Sequence, residues 1–134
     1  MTKALIICVA LVFMVQGVRA HGNHDSGAIK PMMGGVLKSL ETVHLELVQI
    51  GNEIRVYVYS TESTPKPLSA KDFPASAKAI LPRGKGSENV PLKVMKDHWL
   101  ANYDGKGIHR YNFEFHIKQG GHEDKITFTI EPKK

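Results

Sequence analysis

Alternation of apolar and polar positions begins clearly at Val43. Val43, Leu45 and Leu47 are interleaved with His44 and Glu46, and after Gly51-Asn52 the apolar Ile54, Val56 and Val58 are interleaved with Arg55, Tyr57 and Tyr59. Successive side chains of a strand point to opposite faces, so each run predicts a strand with one apolar face and one mixed polar face. Gly-Asn between them predicts a two-residue hairpin, because both residue types accept positive φ. Gly34–Tyr59 thus reads as strand, turn and strand, with Pro31 to Gly35 as the approach to it. Pro65, Pro67 and Pro74 make Thr61–Ala75 a crossing loop.

Later strands are predicted at Ser76–Leu81, Val90–Met95, Trp99–Tyr103, Ile108–Lys118 and Lys125–Glu131, separated by turns at Pro82–Gly86, Asp97-His98, Asp104–Gly107 and Gln119–His122. Tyr111, Phe113, Phe115 and Ile117 share one face of the longest of these, with Arg110, Asn112, Glu114 and His116 on the other. About seven short strands at regular spacing, with no helical period, predict an all-β, immunoglobulin-like antiparallel β-sandwich. Trp99, Phe113, Phe115 and Phe128 are expected at its centre.

Met1–Ala20 breaks this pattern. Lys3, the apolar run Ala4–Val15 and the Val18-Arg19-Ala20 cleavage signature read as an export signal peptide, and the apolar run is too short to span a bilayer. Cleavage there removes the only cysteine, Cys8, so the core must rely on packing without a disulfide. It also removes Lys3 and Arg19, lowering the formal charge from +5 to +3. The lysines are spread among neutral and acidic residues, which reads as a solvated surface and not as a nucleic-acid footprint. Three segments result: signal peptide 1–20, a flexible His- and Met-bearing arm 21–33, and a β-sandwich domain 34–134. No membrane span is expected after cleavage.

All seven histidines of the chain lie beyond the signal, and imidazole suits zinc, copper and nickel. His21, as a new amino terminus, offers its α-amino and ring nitrogens together, and His24 can add a third, a nitrogen-rich set favouring Cu(II). Met32 and Met33 offer thioethers, which select Cu(I). His44 and Glu46 share a strand face, as do Glu114 and His116. If those strands are neighbours, four donors meet in a zinc-type site; if they lie on different sheets, each pair is only a solvated edge. No nucleophile elbow, HExxH or phosphate-binding loop is present, and the chain reads as a non-enzyme.

Gly34-Gly35-Val36 followed by Val43-His44-Leu45-Glu46-Leu47-Val48 resembles a small periplasmic β-sandwich module. That module is fused to adaptor subunits of heavy-metal RND efflux pumps and also occurs as free-standing accessory proteins of metal resistance. The resemblance implies a periplasmic role in metal capture or relay, with an efflux adaptor or another envelope protein as recipient. Met33 stands before Gly34 where that family often has His, which tilts the implied metal from zinc towards copper. The expectation is an exported metal-binding protein, copper before zinc, with His21, His24, Met32, Met33, His44 and Glu46 as candidate ligands. The competing expectation is an envelope interaction module that binds no metal, since a sandwich fold serves either role.

Overall fold

A computed structural model describes residues 29–105 and 107–132. The signal-peptide assignment and both amino-terminal ligand candidates, His21 and His24, lie outside the described residues. Among the described residues nine strands form two antiparallel sheets: β1 Val36–Ser39, β2 His44–Ile50, β3 Glu53–Tyr59, β4 Ala75–Ile80, β5 Ser87–Val90, β6 Lys93–Val94, β7 His98–Asn102, β8 Tyr111–Gln119 and β9 His122–Ile130. One sheet runs β1-β2-β3-β7-β6 and the other β5-β4-β8-β9. Taking β2 as the first strand of an immunoglobulin sandwich gives the orders A-B-E-D and C′-C-F-G, with β1 added outside the A strand. The predicted fold class is the one observed.

The alternation explains the packing. Leu45, Val56, Val58 and Trp99 of the first sheet face Phe113, Phe115 and Phe128 of the second, all 2% exposed or less. Trp99 and Phe115 make the central contact between sheets, with ring centroids 5.0 Å apart and a tilt of 59°. Within the second sheet Ala77 lies opposite Phe115 and Ala79 opposite Phe113, so on its β4 side each ring has a methyl group beside it.

Turn chemistry fixes the register where the sequence placed it. Gly51-Asn52 joins β2 to β3 with Ile50 opposite Glu53, and Gly51 has φ of 59°. The Pro-bearing loop after Tyr59 carries the chain from one sheet to the other, and Leu68 donates back to the Val58 carbonyl at 2.9 Å.

Three expectations are corrected. Val90–Met95 is not one strand: Val90 ends β5 in the second sheet and Lys93 begins β6 in the first. Pro91, which has no N–H to give a ladder, stands at the crossing. The longest late strand begins at Tyr111, not at Ile108. His122 lies within β9 opposite Gln119, which leaves Gly120-Gly121 alone as a two-residue turn with both residues at positive φ.

Candidate functional site

One end of the outer face of the five-stranded sheet is covered, which is unusual for a sandwich. His44, Glu46, Tyr57 and Tyr59 point away from the core, yet they are 6%, 0%, 5% and 3% exposed. Pairing of β2 with β3 sets His44 opposite Tyr59 and Glu46 opposite Tyr57, so the four side chains form a two-by-two patch.

Glu46 organises this patch. Its Oε1 accepts the backbone N–H of Met33 at 2.8 Å and of Gly35 at 2.9 Å, and its Oε2 accepts that of Met32 at 2.9 Å. Tyr59 lies close enough for the Glu46 charge to act on its hydroxyl. A carboxylate offers about four acceptor sites, so these amides use most of its capacity and compensate the charge for full burial. Burial, and after it the negative charge of Glu46, push the Tyr59 phenol well above its ordinary pKa.

The Gly pair makes this approach feasible. Gly34 sits at φ of 73°, in the left-handed region. A Cβ on Gly35 would lie 2.2 Å from the Leu47 carbonyl oxygen. Met32 to Gly35 is therefore a strap drawn down onto β2 and fastened by its own amides. The Met32 and Met33 side chains stay outside, 41% and 53% exposed.

His44 lies one strand position pair away from Glu46. Its Nδ1 is 2.8 Å from the Ser39 hydroxyl oxygen on β1, while its Nε2 is buried without a hydrogen-bond partner. An orphaned N–H is rarer and costlier than an under-used acceptor, so the proton belongs on Nδ1, donated to Ser39, and the Nε2 lone pair is free. Burial lowers the His44 pKa below its ordinary value and holds the ring neutral.

The sequence-derived candidates separate as follows. Met32, Met33, His44 and Glu46 belong to one face, with Glu46 engaged as the anchor of the strap. His44 and His116 lie on different sheets, so the four-donor zinc-type arrangement does not form. His116 is instead clasped by two carboxylates, Nε2 to Glu114 and Nδ1 to Glu123, each at 2.7 Å. The bond from His116, and then nearby Lys125, hold Glu114 below the usual carboxylate range. Among the described residues no three His, Cys, Asp or Glu side chains converge as a metal-holding group.

Burial of His44 and Glu46 was not predicted from alternation, which put them on a solvated polar face. The available signal was the Gly pair eleven residues before the carboxylate, marking a close approach of backbone. No family model, characterised protein or solved structure matches the chain.

Proposed function

We propose that this protein is an exported transition-metal carrier that captures copper in the periplasm for relay to a heavy-metal efflux system. The observation that supports this reading most directly is the free, buried Nε2 of a neutral His44. A metal-binding histidine characteristically has its other ring nitrogen fixed by a hydrogen bond, and Ser39 supplies one. The strap sets two exposed thioethers on the same side of the sheet. Imidazole with thioether is a soft, uncharged donor set, suited to Cu(I) before Zn(II).

Each residue then has a defined part in capture. His44 supplies the nitrogen, Met32 and Met33 supply sulfur, and Ser39 sets the tautomer. Glu46 holds the strap in place as a positioning residue and makes no bond to the ion. His21 and His24, if export processing exposes them, form a separate nitrogen-rich station for Cu(II). The relay to an efflux adaptor rests on the resemblance of the Gly-Gly and His-x-Glu-Leu-Val segments.

The test is a Cu(I) titration under reducing conditions against a competing chelator, on protein recovered after export by its host. His44→Ala is expected to remove one bound equivalent while the circular dichroism spectrum stays that of the parent. Ser39→Ala is expected to weaken that equivalent by about 10- to 100-fold, as loss of an outer hydrogen bond to a ligand does. A parent protein that takes up neither Cu(I) nor Zn(II) would overturn the proposal and leave the envelope interaction module.

A further inference from the structure

The turn between β6 and β7 is fastened on both sides. The Asp97 carbonyl accepts the Val58 amide at 3.4 Å, the Lys96 carbonyl accepts the Ala70 amide at 3.1 Å, and the Met95 amide donates to the His98 carbonyl at 2.8 Å. A turn tied to β3 and to the loop at Ala70 presents its side chains from fixed positions. Lys93 lies opposite Leu100 and Val94 opposite Trp99, and the same register continues to Met95 opposite His98. Trp99 faces the core, so its neighbour His98 faces outward, and its cross-strand partner Met95 shares that face.

His98 is oriented by its surroundings. Its Nδ1 is 2.7 Å from Asp97 Oδ1, and its ring rests on that of Tyr57 with centroids 4.8 Å apart. A carboxylate on Nδ1 fixes the ring proton there and leaves the Nε2 lone pair available. The His98 side chain is 15% exposed, sheltered but open to solvent. Such an arrangement of carboxylate, imidazole and open lone pair is how ligand histidines are prepared in metal sites.

We infer that Met95 and His98 form a second soft-metal site, independent of His44, which takes a monovalent ion such as Cu(I) between one thioether sulfur and one imidazole nitrogen. Asp97 is the positioning residue, and its carboxylate also offsets the charge of the bound ion. The donors are neutral and few, which disfavours Zn(II) and its demand for four ligands. Sites at His44 and at His98 would lie on the outer side of one sheet, separated by Tyr57 and Tyr59 of the interior strand β3.

The deciding experiment uses Ag(I), a redox-inert stand-in for Cu(I), titrated into the exported protein labelled at methionine methyl groups and histidine ring nitrogens. The Met95 methyl and the His98 Nε2 resonances are expected to move together as the ion is added. His98→Ala is expected to remove one equivalent, and Asp97→Asn to weaken binding by about tenfold or more with the stoichiometry kept. His98→Gln repeats the measurement if the alanine variant fails to fold. In His44→Ala the Met95 and His98 shifts are expected to persist, so a failure at His44 and a failure at the turn are read separately. A Met95 methyl that stays in place throughout the titration, or full stoichiometry in folded His98→Ala or His98→Gln, would overturn the site.

Discussion

His44 shows how a residue's environment reverses what its position in a strand implies. Alternation places it on a polar face, where a histidine is usually solvated and titrates near its ordinary value. Covered by neighbours, it is neutral because burial penalises the imidazolium. The sign of the pH effect follows. Its folded pKa lies below the unfolded value of 6.5, so the unfolded chain takes up the proton first as pH falls. The contribution of His44 is intact above about 6.5 and declines as pH drops through the lowered folded value. Chemical unfolding of the parent and of His44→Phe across pH 8 to 5 is expected to show a shallower acid slope in the variant. Equal slopes would mean that other groups dominate in this window. The residue types and their face were readable from the sequence; the burial was not, since alternation within β2 gives no sign that β1 pairs beside it and sets Ser39 against the ring.

At the scale of elements, the strap and the β2–β3 hairpin are one construction, although the sequence separates them into an arm and a domain. Met32 and Met33, assigned by composition to the arm, are fastened by their amides to Glu46. Hydrogen bonds to a charged group contribute about 1.5 to 3 kcal/mol each. Glu46→Gln replaces one acceptor oxygen by an NH₂ that faces donors already in place. It is expected to destabilise the protein by about 2 kcal/mol or more in urea unfolding. The backbone amides of Met32, Met33 and Gly35 should lose protection from hydrogen exchange ahead of the rest of the sheet. Uniform protection in the variant would show that side-chain packing, not the carboxylate, holds the strap. The hairpin was legible because its turn chemistry and its alternation agree. The division of Val90–Met95 was not, because Val90, Leu92 and Val94 keep the period of two straight through Pro91 while the chain changes sheets there.

For the whole molecule, the seam between the sheets is closed by side chains. The Lys38 ammonium group, on edge strand β1, donates to the Thr127 carbonyl on edge strand β9 and lies 5.3 Å from the centroid of the Phe128 ring. Gln49 donates to the Glu131 carbonyl at 3.3 Å, just past the end of the same strand. One carbonyl of the nine-residue edge strand and one just beyond it are thereby occupied. Lys38→Ala combined with Gln49→Ala should keep the fold, since Trp99 and the phenylalanines are untouched. It should nonetheless self-associate with rising concentration, which light scattering would detect. A strictly monomeric double variant would assign edge protection to other residues. The sandwich itself was legible from strand spacing and the aromatic core, whereas these closing contacts join residues more than eighty positions apart and leave no periodic trace.

The engagement of Glu46 also bears on chemical discrimination. Calcium and magnesium seek oxygen, above all carboxylate oxygen. On this face folding has already engaged that carboxylate with three backbone amides, and the Ser39 hydroxyl with the His44 ring. Beside them stand the His44 Nε2, which has no hydrogen-bond partner, and the exposed side chains of Met32 and Met33. A hard ion would find those oxygen atoms already engaged in holding the strap and the ring in place, which favours the soft-metal reading proposed above.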